Sequence, residues 1–310
     1  MIGSRRVDGF DALTLSSEEG EIEAAFVPEA GMVGCSLRHR GEELLGQRGG
    51  LARYVADRST MGIPLLHPWA NRVASRRFSV AGREIDLWAH PGRYTLGPKG
   101  LPIHGLLAAA GGWAVEEHRE TADGPRLAAV FDFAAQEDLI TLFPFPHQVR
   151  IEARISDSTL SIATSVRATG DAPVPISFGY HPYFRLPDVE RSAWRVEIPV
   201  SERVVLDSEQ LPTGEKVPAD VPAGPLGTRT FDDEFVAPSE PFALEGGGRR
   251  IEVSFDHGYP YSQVYAPDDD DVIAFEPMTA PTNALVSGQD LKLLEPDESY
   301  EASFSIGVSG

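Results

Sequence analysis

Two histidines in turns rich in proline and glycine are the residues of this 310-residue chain best suited to chemistry near neutral pH. His104 lies in the segment PIHGLL, and His181 lies in SFGYHPYFRLP. Imidazole has an ordinary pKa close to neutrality, so it can donate or accept a proton at working pH. A carboxylate follows late in the chain, at Glu276 in IAFEPMTAPTNAL. Two histidines and a carboxylate suit a reaction that delivers one proton while it removes another.

Signatures of several other catalytic classes are absent from the sequence. It contains no G-x-S-x-G nucleophile elbow, no Walker loop, no H-E-x-x-H zinc helix and no G-x-G-x-x-G dinucleotide fingerprint. The glycines of EGGGRR (245–250) predict a tight hairpin. The acidic run from Asp268 to Asp271 lacks the spaced ligands and the glycine of a calcium loop, so we interpret it as a solvated turn. We therefore expect neither a metal ion nor a cofactor.

The charge balance limits the partners of the chain. It has 47 acidic and 27 basic residues, for a formal net charge of −20. Nucleic acid and anionic membrane surfaces repel such a protein, so neither is expected as a partner. The charge argues more mildly against an anionic substrate, since a local basic pocket would override the global field. A small neutral substrate is the default expectation.

Location and assembly are constrained less strongly. The single cysteine, Cys35, excludes an intrachain disulfide. The first residues contain no apolar run typical of a secretory signal, and no stretch of about 18 apolar residues predicts a membrane-spanning helix. These features predict a cytoplasmic protein, as a monomer or a homodimer.

Strand-like alternation recurs between the turns. Apolar side chains occupy every second position in VRIEARI (149–155), LSIATSV (160–166) and ASFSIGV (302–308), a pattern typical of half-buried antiparallel strands. Only LARYVADRST (51–60) suggests a helix, and a short one. Many short strands with frequent turns indicate an all-β sandwich or barrel.

The domain organisation depends on one proline-rich stretch. Residues 217–228, VPADVPAGPLGT, would suit either a linker or a long surface loop. The strand-like segments on its two sides look alike, and no sharp change of composition occurs along the chain. We therefore interpret the stretch as a surface loop and predict one domain over residues 1–310.

Six segments occur in the order and approximate spacing seen in the aldose 1-epimerases, the galactose mutarotase family. The resemblance extends from about residue 10 to the late segment LEPDESYEASFSI. It implies a large antiparallel β-sandwich, the galactose mutarotase-like supersandwich, with few short helices and a sugar-binding cleft on one concave face. The six segments are GIPLLHPWANRVASRRF, PIHGLL, SFGYHPYFRLP, FDDEF, YSQVYAP and IAFEPMTAPTNAL.

The resemblance also implies roles for individual residues. By this likeness, His181 is the general acid on the ring oxygen of a sugar, and Glu276 is the general base on its anomeric hydroxyl. His104 resembles the histidine that hydrogen-bonds the sugar near the ring oxygen. The positions that resemble further sugar contacts are Asn71, Arg72, Asp232 (with Asp233 as an alternative) and Gln263.

The chemistry of anomer interconversion makes independent sense of these residue types. Opening the ring of an aldose needs a proton on the ring oxygen and removal of another from the anomeric hydroxyl, and closing on the other face reverses both steps. We expect His181 to be protonated and Glu276 to be ionised before opening. The rings of Trp69, Tyr183 and Tyr265 are candidates either for an apolar wall against the sugar's C–H face or for the core.

The resemblance predicts an aldose 1-epimerase that acts on a free aldose such as glucose or galactose, and two alternatives remain open. A hexose-6-phosphate 1-epimerase would use the same acid and base and would add cationic contacts, for which Arg76, Arg77 and Arg185 are candidates. A non-catalytic carbohydrate-binding homologue would keep the cleft without turnover. An acid–base pair argues against the second alternative, because binding alone does not need one.

Overall fold

The computed structural model describes all 310 residues, mostly as β-strands joined by turns. The α-helices are few and short: α1 (Gly50–Asp57), α2 (Glu137–Leu142) and α3 (Ala284–Ser287). The first of them matches the one helix expected from the sequence. No helix of the chain combines the length and the apolar character needed to cross a membrane.

The strands of the first half of the chain are β1 (Ile2–Val7), β2 (Phe10–Ser16), β3 (Ile22–Val27), β4 (Val33–His39), β5 (Glu42–Glu43), β6 (Leu65–Leu66), β7 (Arg77–Val80), β8 (Arg83–Asp86), β9 (Thr95–Leu96), β10 (Pro102–Ile103), β11 (Ala114–Thr121), β12 (Gly124–Asp132), β13 (His147–Ser156) and β14 (Thr159–Ala168). Those of the second half are β15 (Val174–Ile176), β16 (Gly179–Tyr180), β17 (Tyr183–Phe184), β18 (Arg195–Ile198), β19 (Glu202–Leu206), β20 (Pro212–Pro218), β21 (Val221–Pro225), β22 (Phe231–Val236), β23 (Phe242–Gly246), β24 (Arg249–His257), β25 (Tyr261–Ala266), β26 (Ile273–Met278), β27 (Lys292–Leu294) and β28 (Ser299–Ser309).

Three large sheets contain most of these strands. One has five strands in the order β1-β2-β3-β4-β5, and another has nine in the order β11-β12-β13-β14-β28-β24-β23-β18-β21. The third, with eight strands, has the order β20-β19-β22-β25-β26-β16-β6, and β17 also pairs with β26. Neighbouring strands in the large sheets are antiparallel. The predicted all-β antiparallel sandwich with few short helices is confirmed.

The three alternating segments form the centre of the nine-stranded sheet. They lie in β13, β14 and β28, which are hydrogen-bonded in that order. Buried and more exposed positions alternate along each strand, as the sequence pattern predicts. The buried face of this sheet packs against the eight-stranded sheet.

Aromatic contacts join the two sheets across the core. Phe242 of β23 stacks on Phe275 of β26 with ring centroids 4.9 Å apart, and Tyr180 of β16 lies 5.0 Å from Phe304 of β28. The Tyr180 hydroxyl also shares a 2.7 Å hydrogen bond with the Thr164 hydroxyl of β14. Burial of these large rings contributes strongly to stability and fixes how the sheets face each other.

The proline-rich stretch 217–228 differs from its prediction as a loop. It contains the end of β20 and the whole of β21. Both strands lie at sheet edges, since β20 pairs only with β19 and β21 only with β18. Proline lacks the N–H that a central strand needs, but an edge strand has one side without a partner. Because prolines are typical of loops, the sequence pattern did not predict these two edge strands.

Candidate active site

A cavity of about 570 Å³ lies on the face of the eight-stranded sheet that points away from the core. Its volume falls within the range of ordinary small-molecule sites. All seven residues singled out from the sequence as catalytic or sugar-binding line it together: Asn71, Arg72, His104, His181, Asp232, Gln263 and Glu276.

Strand register places the carboxylates and the amide on one face. Gln263 of β25 lies directly opposite Glu276 of β26, and on its other side opposite Glu234 of β22. Directly paired residues share a sheet face, and alternate residues of one strand do as well, so Asp232, two residues before Glu234, lies on this face too. On the opposite face, Val264 of β25 and Phe275 of β26 belong to the hydrophobic core.

His181 and Glu276 form the centre of the cavity floor. Nε2 of His181 lies 3.2 Å from Oε1 of Glu276, and both side chains are almost fully buried. The imidazole stacks on the ring of Tyr183 at a centroid distance of 4.1 Å. The Tyr183 hydroxyl accepts a 2.9 Å hydrogen bond from Arg48 and shares one of 2.6 Å with Thr60. This packing fixes the plane of the His181 ring.

His104 reaches the same point from a turn with unusual backbone geometry. His104 has φ of 65°, and Gly105 after it has φ of 74°. The His104 N–H donates to the Asn71 carbonyl at 2.7 Å, and the Leu106 N–H donates to the His67 carbonyl at 2.6 Å. These bonds hold the His104 ring edge-to-face against His181, with centroids 5.4 Å apart.

Burial governs the protonation of the central pair. Desolvation lowers the pKa of His181 well below its usual value and raises the pKa of Glu276 well above its own. Desolvation also lowers the pKa of His104 to about 3, so that ring is neutral near pH 7. Both shifts favour the uncharged arrangement of the His181–Glu276 pair, with the proton on Glu276. This differs from the ion pair expected for the resting state, because a buried pair without a polar ligand disfavours separated charges.

The remaining sugar-binding candidates are held around this pair. Nη1 of Arg72 donates to the Gln210 carbonyl at 3.1 Å, which fixes the guanidinium at the cavity wall. Nε2 of Gln263 donates to Oδ1 of Asp232 at 2.7 Å, while Oε1 of Gln263 is buried without a hydrogen-bond donor. Asp233, the alternative to Asp232, does not line the cavity, because alternation turns it to the other face.

Two of the three aromatic candidates line the cavity. Tyr183 and Tyr265 are on its wall, whereas Trp69 is 1% exposed and belongs to the hydrophobic core. Of the two roles open to Trp69, a wall against the sugar or a place in the core, the structure shows the core. Its position directly after His67-Pro68 makes it adjacent to the site in sequence, but its side chain points inward.

The three arginines suggested for a phosphate group lie outside the cavity. The guanidinium of Arg76 stacks over the Trp88 ring at 4.2 Å, and Arg77 pairs with Asp86 at 2.5 Å. Arg185 is exposed beyond β17. All three arginines stand within the quoted motifs, so membership of a motif did not predict whether a side chain lines the cavity.

Sequence reasoning missed a buried histidine pair next to the site. The sequence favours a surface or edge position for His147, but this residue is fully buried. Its Nε2 lies 2.7 Å from Nε2 of His67, and its Nδ1 donates to the Phe145 carbonyl at 2.6 Å. The only sequence signal was the position of His147 at the start of an apolar alternating strand. Arg48 and Thr60, which hold Tyr183, carry no motif.

A second buried carboxyl, Glu234, also escaped sequence analysis. It is fully buried beneath the loop after β26, where its carboxylate accepts the Thr282 N–H at 3.2 Å. Desolvation raises the pKa of Glu234 to about 7, against the lowering effect of Thr282 and of the Arg72 and Lys216 charges. Because Glu234 does not line the cavity, we expect its ionisation to affect the stability of the fold.

We expect Glu234→Gln to change the pH dependence of stability. Between about pH 4.5 and 7 the folded chain keeps a proton on Glu234 that the unfolded chain releases, so stability falls as the pH rises through this window. Glutamine removes the ionisation and can still accept the Thr282 N–H. The variant should match the parent near pH 4 and exceed it above pH 7 by up to about 3 kcal/mol. Urea unfolding near pH 4 and above pH 7 measures the difference in the free energy of unfolding between variant and parent. An equal difference at the two pH values would contradict the prediction.

No group of three or more histidine, cysteine, aspartate or glutamate side chains is placed to hold a metal ion. The cavity itself offers a histidine and a carboxyl group 3.2 Å apart, a second histidine that is neutral near pH 7, and polar groups around them. Such a set can move protons to and from a small polar ligand.

The chain resembles known proteins in both sequence and fold. The family model described as aldose 1-epimerase matches residues 22–307. The uncharacterized protein YihR of Escherichia coli K12 is 24% identical over 260 residues, which is 79% of this chain and 80% of that protein.

Solved structures show the same fold. A galactose mutarotase-like protein from Clostridium acetobutylicum superposes with a TM-score of 0.85 at 19% identity, covering 100% of this chain and 98% of its own. Galactose 1-epimerase from Lactobacillus acidophilus NCFM gives a TM-score of 0.77 at 14% identity, again covering 100% and 98%. At these identities the structural likeness supports the fold alone.

Proposed function

Because this chain belongs to the aldose 1-epimerase family, we propose that it interconverts the α and β anomers of a free aldose, such as glucose or galactose. The observation that carries the proposal is the 3.2 Å approach of His181 Nε2 to Glu276 Oε1 on the floor of a cavity of about 570 Å³. Two groups that share one proton are what ring opening and reclosure require.

The proposed steps use only side chains of this chain. A sugar entering the cavity brings hydroxyl groups that solvate charge, which allows the shared proton to pass from Glu276 to His181. His181 then delivers it to the ring oxygen while Glu276 takes the proton of the anomeric hydroxyl, and the ring opens to the aldehyde. Rotation about the bond between the first two carbons exposes the other carbonyl face, and reversal of both transfers closes the ring.

The surrounding residues would hold the sugar during this rotation. Arg72 offers a fixed fork of donors to a hydroxyl, and Asp232 is an acceptor tied to Gln263. The neutral ring of His104 lies beside His181, where it can hydrogen-bond near the ring oxygen. Tyr265 supplies an apolar surface against the sugar's C–H face.

Polarimetry tests this proposal. Freshly dissolved α-D-glucose and α-D-galactose, and their 6-phosphate or uronate derivatives, are followed in weak buffer with and without the protein. We expect faster approach to the same equilibrium rotation with glucose or galactose. Acceleration of the 6-phosphates alone would instead support the alternative of a hexose-6-phosphate 1-epimerase. A protein that binds an aldose without accelerating the change would instead be a non-catalytic carbohydrate-binding homologue, and the proposal would fail.

A further inference from the structure

One polar residue of the segment that contains Glu276 has no part in the proposed proton transfers. Asn283 belongs to IAFEPMTAPTNAL and directly precedes α3. Its side chain does not line the cavity, so any effect on a bound sugar must pass through another residue. Its hydrogen bonds reach the chain at Arg72, which does line the cavity.

The chain over residues 71–74 is hydrogen-bonded to the His104 turn along one edge. The Asn71 carbonyl accepts the His104 N–H at 2.7 Å, and the Val73 N–H donates to the Pro102 carbonyl at 3.0 Å. The N–H and the carbonyl of one trans peptide unit point in opposite directions. The carbonyl of residue 72 shares its peptide unit with the Val73 N–H, so it points to the other edge and needs a partner there.

Asn283 alone supplies the partners on that second edge. Its N–H donates to the Arg72 carbonyl at 3.0 Å, and its Oδ1 accepts the Ala74 N–H at 2.8 Å. One residue therefore provides the donor and the acceptor that a neighbouring strand would otherwise provide. Side chains leave an extended segment roughly perpendicular to its hydrogen bonds. Holding both edges thus fixes the direction in which the Arg72 side chain leaves the backbone.

The backbone of Asn283 limits which residues can make both bonds. Asn283 has φ of 68° and ψ of 11°, in the left-handed region. Glycine adopts this region freely but has no oxygen for the Ala74 N–H, whereas most other residues adopt it only with strain. Asparagine and aspartate combine tolerance of this conformation with a short side-chain acceptor.

The side chain of Arg72 is also held at its far end. The residue is buried at the cavity wall, and its Nη1 donates to the Gln210 carbonyl at 3.1 Å. Together with the bonds from Asn283, this contact holds Arg72 at both its backbone and its guanidinium. A guanidinium held in this way presents its remaining donors in a fixed direction, which lowers the entropic cost of binding a hydroxyl.

We propose that Asn283 is a positioning residue for Arg72, and that its two backbone hydrogen bonds hold Arg72 in the orientation that binds the sugar. This inference rests on the proposed epimerase function, in which Arg72 holds a sugar hydroxyl. Asn283 moves no proton, because it lies outside the cavity. Its loss should therefore raise KM more than it lowers kcat.

A double-mutant cycle tests this inference. Anomer interconversion of glucose and of galactose is measured in the parent, in Asn283→Gly, in Asn283→Asp, in Arg72→Gln and in the Asn283→Gly, Arg72→Gln double variant. The kcat and KM values are compared for the sugar that the parent converts faster, and calorimetric melting measures the stability of each variant.

Ser17→Gly is the matched control. Oγ of Ser17 accepts the Ile22 N–H at 3.2 Å in the turn between β2 and β3, outside the cavity. Its substitution also removes a side-chain oxygen that accepts a backbone N–H. A general loss of stability would therefore appear in this variant too, whereas a rise of KM would not.

We expect Asn283→Gly to raise KM about tenfold with a smaller change of kcat, and Asn283→Asp to stay within about threefold of the parent KM. Ser17→Gly should leave KM unchanged. In the Arg72→Gln background, Asn283→Gly should change KM little, because a residue that acts through another has no separate effect once that other residue is removed.

An unchanged KM in folded Asn283→Gly would overturn the inference and leave the epimerase intact. The same holds if Asn283→Gly raises KM by an equal factor with and without Arg72→Gln, since Asn283 would then act independently of Arg72. A parent that accelerates the interconversion of neither sugar would overturn the proposed function and this inference with it.

Discussion

Glu276→Gln and His181→Asn are each expected to lower kcat by roughly 10²- to 10⁴-fold, the usual contribution of a general acid or base. Glutamine keeps the shape of Glu276 but cannot accept the anomeric proton, and asparagine cannot exchange protons as the His181 imidazole does. The initial rate of anomer interconversion with the preferred aldose measures both effects. Because the two groups act on one shared proton, the double variant should lose little more than either single variant.

Glu234→Gln is the matched control for the first substitution. Glu234 lies in the same cross-strand row as Glu276, separated from it by Gln263, but its carboxylate faces the Thr282 N–H and not the cavity. We expect this variant to retain most of the parent's turnover. Equal losses of turnover in Glu234→Gln and Glu276→Gln would mean that removing either buried carboxyl group of this sheet has the same effect. That result would contradict a specific role for Glu276.

Gly105→Ala is expected to destabilise the fold by about 2–5 kcal/mol and to displace His104. A Cβ at Gly105 would lie 2.2 Å from the His67 carbonyl oxygen, and the residue has φ of 74°. The clash is with backbone, which cannot rotate away as a side chain would. Because the His104 backbone conformation depends on this turn, kcat should fall together with the melting temperature.

Gly100→Ala separates the cost of the left-handed backbone conformation from the cost of a steric clash. Gly100 lies in the same part of the chain and has φ of 75°, but a Cβ added to it would meet no atom within 4 Å. Its substitution carries only the left-handed conformational penalty, about 1 kcal/mol. Calorimetric melting of both variants should therefore show a much larger loss for Gly105→Ala. Equal losses of stability in the two variants would mean that the backbone at His67 moves easily to relieve the clash. The contact with His67 would then not fix the turn.

Much of this fold was predictable because its strands follow the simplest periodicity. The segments in β13, β14 and β28 alternate over ten or more residues, and their central place in the sheet requires one face to be buried. The strands around 217–228 were not predictable, because proline masks an edge strand locally. Only the sheet order shows that β20 and β21 are edge strands, where a proline without an N–H can be accommodated.

The site was predictable to the extent that motifs carry it. His104, His181 and Glu276 stand in recognisable segments, and the structure brings them to one cavity. The part of the cavity wall at Arg48 was not predictable, because Arg48 pairs with Asp270, a carboxylate far along the chain. Sequence spacing does not report such three-dimensional charge balance.

The most direct test of the central claim is exchange between anomers at equilibrium, measured by magnetisation transfer between the two anomeric protons of the preferred aldose. This measurement needs no freshly dissolved anomer and detects turnover in both directions. We predict protein-dependent exchange in the parent that is reduced to the spontaneous rate in the His181→Asn, Glu276→Gln double variant. Equal exchange in the parent and the folded double variant would contradict the assignment of proton transfer to His181 and Glu276.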